Sequence, residues 1–222
     1  MVNMIAAGHS QNDNGPEGGL SKAAYDEIMR LILARELSAG QIVQERRLAD
    51  RLNMSRTPVR EALRKLEAES WLVRLNSRTI AVKRVSIEEY LSALQIRELL
   101  EPEAAAIAAP TIESTVVLDW RHKLKVLMEL DSPSPKQQWE FDQSLHMGIA
   151  NASKNTLLPR IISELRKTTQ LFENQTLPTQ PLPGYDEHMA IIDAVEKRDP
   201  LAARDAMRTH LKQTKKSIFE VL

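Results

Sequence analysis

Leu48-Ala49-Asp50-Arg51-Leu52-Asn53-Met54-Ser55-Arg56-Thr57-Pro58-Val59-Arg60-Glu61-Ala62-Leu63-Arg64-Lys65-Leu66-Glu67-Ala68-Glu69 reads as two helices joined by a tight turn. Leu48, Ala49 and Leu52 share one face of a short helix over 44–52. Val59, Ala62, Leu63 and Leu66 recur at three- and four-residue spacing on a second helix that runs to about Glu69. Asn53 lies between them, and asparagine tolerates the left-handed backbone that such a turn demands. Ser55 or Thr57 can cap the second helix, with Pro58 in its first turn, where a missing N–H costs little. Upstream, Tyr25, Ile28, Met29, Ile32 and Leu33 mark a helix over 21–35, which Gly40 closes. Downstream, two β-like stretches, 71–75 and 79–84, flank a turn at Asn76-Ser77-Arg78. Helix, helix, turn, helix and hairpin make a winged helix-turn-helix over residues 20–84.

That architecture gives the arginines a purpose. Arg56, Arg60 and Arg64 are four apart and share a face, and Thr57 lies beside them. A recognition helix reads base edges with its N-terminal end, and Arg presents a planar fork that fits guanine or a phosphate. Arg46, Arg47 and Arg51 on the preceding helix are placed for phosphate contacts that fix register. Arg78 at the wing tip can reach a groove or the backbone. An isolated arginine-rich helix is as often a solvated face; the surrounding pattern is what favours DNA.

Charge supports two parts with different partners. The 222-residue chain has zero formal net charge, but residues 20–84 hold 14 Lys+Arg against 8 Asp+Glu, and residues 85–222 hold 16 against 20. The chain has no cysteine, so disulfides and thiolate zinc sites are excluded. No apolar run approaches the roughly 18 residues of a membrane span. Residues 1–19, rich in Gly, Asn and Ser, have no secretory pattern and read as a disordered tail, so a cytoplasmic location is expected.

From residue 86 the periodicity is helical throughout, in six segments near 86–109, 112–130, 135–151, 155–174, 184–197 and 200–220. Pro110, Asp131-Ser-Pro-Ser-Pro135, Asn151-Ala-Ser-Lys-Asn155 and a proline-rich run over 177–184 separate them. The expected fold is therefore mainly α: the winged helix-turn-helix followed by an all-α antiparallel helical bundle over 85–222. Asp142 and His146 share a helix face, while His188 and His210 fall on two later helices. A carboxylate and three imidazoles converging from three helices could hold a divalent metal ion, zinc or nickel first. Each residue taken alone is equally at home as a surface or hydrogen-bonded histidine, or as an intrahelical pair.

The first segment closely resembles the DNA-binding region of the GntR family of bacterial regulators, across about residues 20–84. The resemblance implies that Arg46, Arg56 and Arg60 are principal DNA-contacting arginines. The family usually has glycine where this chain has Asn53, Ser70 and Asn76-Ser77. Asp142-Gln-Ser-Leu-His146, Glu187-His188-Met-Ala-Ile-Ile and Met207-Arg-Thr-His210-Leu are similar to the ligand motifs of the FadR-type subfamily's C-terminal effector (FCD) domain. In many members that domain holds a metal between an Asp and three His, so the resemblance strengthens the metal reading. Six helices look like the shorter branch of the subfamily rather than the seven-helix, acyl-CoA-binding one.

Ile96-Arg97-Glu98-Leu-Leu-Glu101 matches the opening helix of that domain. A buried Arg97 needs a partner, either Glu101 four residues on or the carboxylate of a bound ligand; the latter is favoured, because the family's effectors are often small organic acids. Asn155 and Arg166 are further candidates for lining the cavity. The expected whole is a homodimeric, ligand-responsive regulator, a repressor, on two-fold-symmetric double-stranded operator DNA. A helical metalloenzyme and an interaction protein with vestigial sites are the alternatives.

Overall fold

The computed structural model describes residues 16–176 and 184–221. The head comprises α1 (Pro16–Leu33), β1 (Ile42–Val43), α2 (Glu45–Leu52), α3 (Arg56–Ala68), β2 (Leu72–Asn76) and β3 (Thr79–Val82). The bundle comprises α4 (Ile87–Ala108), α5 (Ser114–Glu129), α6 (Pro135–Ala152), α7 (Leu158–Thr176), α8 (Tyr185–Glu196) and α9 (Pro200–Val221). The expected winged helix-turn-helix and six-helix bundle are both present. No described helix is long and apolar enough to cross a membrane.

Several local expectations are corrected. Residues 16–19, read as disordered tail, belong to α1; residues 1–15 of that tail and 177–183 of the proline-rich run lie outside the described residues. Gly40 does not close α1. Arg35 does, at φ 60, while Leu37 donates its N–H back to the Leu31 carbonyl at 3.0 Å. Gly40, at φ 76, instead turns the chain into β1 and donates to the Val82 carbonyl at 2.9 Å. Two residues were too short a strand to read as alternation; β1 exists because β3 offers it a free edge, with Ile42 opposite Ala81. The sheet order is β1-β3-β2, all antiparallel.

The turns follow the backbone argument. Asn53 sits at φ 51, ψ 44, the left-handed region expected of it, and so does Ser70 at φ 64. Ser55 occupies the N-cap position of α3 without a side-chain bond, and Thr57 lies inside the helix. Pro58 is in the first turn and buried. At the wing, Asn76 Oδ1 accepts the Arg78 N–H at 3.0 Å and closes the turn without glycine.

Ile28, Leu31, Ile32, Val59, Leu66, Trp71 and Val82 form the core of the head. In the bundle α4 is central and packs on α9, α7 and α6. Its buried stripe includes Tyr90, Ala93, Leu94, Arg97, Glu101 and Ala104, so two charged groups enter the core on the same face as the apolar ones. Ser86 and Ser134 cap α4 and α6 by accepting from the backbone three residues on, and Ser134 forms a reciprocal capping box with Gln137.

Head and bundle meet through specific contacts. Trp71 packs edge-on against Trp139, ring centroids 6.0 Å apart. Asn174 Nδ2 on α7 donates to the Ile32 carbonyl of α1 at 2.9 Å. Gln175 Nε2 donates to the Lys83 carbonyl at 2.6 Å, and its Oε1 accepts the Val85 N–H at 3.4 Å.

Candidate functional site

On the head, Arg46, Arg47, Ser55, Arg56, Thr57, Arg60, Arg64 and Arg78 are all exposed. The first turn of α3 therefore presents its polar face to solvent, while Pro58, Val59, Ala62 and Leu63 anchor the other face. Glu45, at the start of α2, was not singled out from sequence. It accepts from Arg56 Nε at 2.9 Å and grips Arg60 in a fork, at 2.8 and 2.9 Å. The Arg60 guanidinium, with Arg56 beside it, holds the Glu45 carboxyl below its ordinary range. Arg51 pairs with Glu36, while Arg46 and Arg47 on α2 are exposed.

In the bundle, Asp142 and His146 on α6 converge with His188 on α8 and His210 on α9. One ligand atom from each lies within 4.8 Å of all the others. All three imidazoles are buried. His146 Nε2 and His188 Nε2 stand 3.4 and 3.3 Å from Asp142 Oδ1. That is about the edge of a tetrahedron built on 2.0–2.1 Å metal–ligand bonds. His146 Nε2 and both His188 nitrogens are buried without a good hydrogen bond, and buried polar atoms seldom go unpaired. A cation at their centre would satisfy them.

The protonation states suit that role. Burial, reinforced by the Arg166 guanidinium, pushes His146 down to about 4, and burial with the neighbouring imidazoles pushes His210 well down. Both are neutral at pH 7, as a metal ligand must be. Burial opposes ionisation of Asp142, but the Arg166 guanidinium outweighs it and holds the carboxyl well below its usual range. Glu101 is likewise buried, yet Arg97 and His146 keep it ionised. It accepts from Arg97 Nε at 2.6 Å and bonds His146 Nδ1. An ionised Glu101 can only accept, so Nδ1 carries the proton and the Nε2 lone pair faces Asp142, an arrangement typical of a ligating histidine.

Beside this cluster is a cavity of about 160 Å³. Asp142, His188, His210, Arg97 and Arg166 all line it. Arg97, expected to grip a ligand, has Glu101 and Thr169 as its protein partners, the latter at 2.7 Å from its Nη1. The protein-carboxylate alternative for Arg97 is thus the pairing formed, although the guanidinium still borders the cavity. Arg166 is buried, bonds Asp142 and keeps Nη1 unpartnered.

Asn155 is a correction. It is exposed and does not line the cavity; its Oδ1 accepts from Leu157 and Leu158 N–H, at 2.9 and 3.2 Å, and caps α7. Its place just before a helix start was the available signal. Glu173 was missed. It lines the cavity, contacts Tyr90 Oη at 3.3 Å, and burial pushes it up to about 7. Trp139 and Asn174 were also missed; both line the cavity while touching the head.

An arginine-faced winged helix joined to a helical cavity with metal-ligand chemistry defines a DNA-binding regulator with a sensory domain. The family model for bacterial regulatory proteins of the gntR family matches residues 20–82, and that for the FCD domain matches residues 92–213, more than half of the chain. The chain belongs to the gntR family of bacterial regulators, in the FadR-type branch that carries an FCD domain. It is 27% identical over 211 residues to the Exu regulon transcriptional regulator of Escherichia coli K12, covering 82% of this chain and 78% of that protein. It is 27% identical over 231 residues to the Glc operon transcriptional activator of the same strain, covering 91% and 90%. It is 25% identical to the E. coli transcriptional repressor RspR, covering 93% and 92%. E. coli McbR/YncC shares the fold at TM-score 0.69 and 19% identity, covering 90% of this chain and 97% of that one. These relatives are regulators, so the metalloenzyme alternative is set aside.

Proposed function

We propose that the chain is a homodimeric, metal-dependent sensor of a small carboxylic acid that represses transcription until the acid binds. Each head enters a major groove of a two-fold-symmetric operator, with Arg56, Thr57, Arg60 and Arg64 at the bases and Arg46, Arg47, Ser55 and Arg78 on the backbone. The observation carrying the sensor reading is the set of unpartnered buried nitrogens around Asp142, bordering the same cavity as Arg97 and Arg166. Asp142, His146, His188 and His210 would hold a zinc or nickel ion, which when bound supplies a positive centre for a carboxylate. Arg166, anchored by Asp142, has an unpartnered Nη1 that can serve as a second donor, and Glu101 fixes the His146 tautomer. Asn174 and Trp139 connect the cavity to α1 and Trp71, so filling the cavity can bias the head.

The test is to strip the full chain with chelator and restore Zn(II) or Ni(II). Metal at a thousandfold excess over its Kd should stabilise the fold by about 4 kcal/mol, read as a rise in melting temperature. His188→Ala should abolish that rise. A chain whose melting is indifferent to both metals would refute the metal reading.

A further inference from the structure

A carboxylate entering the cavity would meet an anion already there. Glu173 on α7 lines the wall together with Arg97 and Arg166, the guanidiniums assigned above to the ligand. Its side chain is partly buried, and among the described residues it makes a single hydrogen bond, a long one of 3.3 Å from Tyr90 Oη. Neither arginine bonds it. Arg97 bonds Glu101 and Thr169, and Arg166 bonds Asp142 and Gln143.

The groups around Glu173 differ in their freedom to exchange a proton. On α4 these are Tyr90 and Arg97, with Glu98 turned to Lys215 of α9 at 3.5 Å. Asp142 comes from α6, Arg166 from α7, Glu187 and His188 from α8, and His210 from α9. The arginines stay charged. A metal would claim Asp142 and the histidines, and a metal-bound imidazole cannot take a second proton at the ligating nitrogen. Glu173 is weakly bonded and outside the ligand set. Burial lifts it to about 7, Arg97 and Arg166 acting against the rise. A ligand carboxylate would draw on those same cations and add a like charge to one small cavity, where two carboxylates do not readily both stay ionised.

We infer that the sensor binds its acid together with a proton: as the ligand carboxylate occupies the cations, Glu173 takes a proton from solvent and donates it to the ligand as an O–H···O hydrogen bond. The inference rests on the proposal above that this cavity takes a carboxylate. Protonation turns a repulsive neighbour into a donor, and a hydrogen bond to an ionised acceptor is stronger than one between neutral groups. The regulator then responds to acid and proton jointly, so a fall in pH lowers the amount of acid needed. Glu173 immediately precedes Asn174 and Gln175, which bond the Ile32 and Lys83 carbonyls of the head, so the proton arrives beside the junction.

The test titrates the full chain, loaded with Zn(II), by calorimetry with formate, acetate, propionate, lactate and benzoate, monocarboxylates that are ionised at pH 7. Each is run in PIPES and in ACES, whose different heats of ionisation reveal the protons exchanged. At pH 7 the tightest binder should take up between about a third of a proton and one, and its Kd should weaken at least about threefold from pH 6 to 8. Glu173→Gln keeps a donor but cannot titrate, so it should bind with no uptake and a flat Kd over that range. Glu187→Gln, at the other carboxyl of the wall outside the ligand set, should keep the uptake. Equal heats in the two buffers, uptake that persists in Glu173→Gln or disappears in Glu187→Gln, or loss of binding in Glu173→Gln would overturn this inference and leave the carboxylate reading standing. Silence from every acid would bring down both.

Discussion

Glu45 places a carboxylate among the arginines that are proposed to read DNA. Arg60 spends two donors on it and Arg56 one, so in free protein the reading face is preformed and partly neutralised. Removing the carboxylate frees both side chains to seek any phosphate. Glu45→Ala should bind random duplex more tightly and raise the salt slope by about one, while operator preference falls. Arg60→Ala should instead lose operator affinity by roughly 1–3 kcal/mol and flatten the salt dependence. Fluorescence anisotropy on operator and scrambled duplexes over a salt series reads both; parallel curves for the two variants would refute the arrangement.

Glu173 carries a second prediction at this scale. Burial raises its carboxyl to about 7, with Asp142 adding to the rise, and Arg97, Arg166 and the Tyr90 hydroxyl opposing it. Because the folded value exceeds the unfolded one, the folded state holds the extra proton between about pH 4.5 and 7. Stability from this group is complete below the unfolded value and is lost as pH rises through 7. Glu173→Gln should therefore overtake the parent chain between pH 5 and 8, by on the order of 2 kcal/mol, since Glu173 keeps some contact with water. Urea midpoints that move in parallel across that range would contradict it.

At the scale of elements, close approach matters more than propensity. Gly148 on α6 faces Trp120 on α5, and a Cβ there would fall 2.3 Å from the indole Cζ2. The indole is buried and cannot swing out. Gly148→Ala should cost about 1–3 kcal/mol, seen as a lower melting temperature with metal both present and absent. Helix periodicity made every bundle helix legible, because each apolar stripe repeats over several turns. Asn53 was legible too, since few residues take a left-handed turn willingly. Strand β1 and the end of α1 were not, because a two-residue pairing and an arginine at positive φ depend on neighbours distant in sequence. The same logic divides the site. Asp142 and His146 announce themselves by spacing within one helix. Glu101 as the anchor of His146, across 45 residues, and Glu45 as the clamp on Arg60 emerge only when helices are packed.

For the whole molecule, the proposed function requires that sensing reach DNA through the junction. Gln175 bridges the Lys83 carbonyl and the Val85 N–H at the point where head becomes bundle, and it does not line the cavity. Gln175→Ala should leave metal-induced stabilisation intact while reducing the change in operator affinity that a cavity ligand produces. Coupling of this kind is reciprocal: operator DNA must alter ligand affinity by the same factor, and the variant must shrink both effects together. Thermal melting with metal, set beside operator titrations with and without acid, separates a loosened junction from a damaged bundle.

The edge-on pair of Trp71 and Trp139 gives the protein an optical signal of its own. The chain has three tryptophans; Trp120 is sealed inside the bundle, and the other two meet where head and bundle touch. Indoles 6.0 Å apart are close enough to couple their strong transitions, so far-ultraviolet circular dichroism should carry a couplet that depends on their mutual angle. A tilt of the head relative to the cavity would alter that couplet while leaving the Trp120 contribution in place. Domain motion in this regulator can thus be followed by spectroscopy on unlabelled protein.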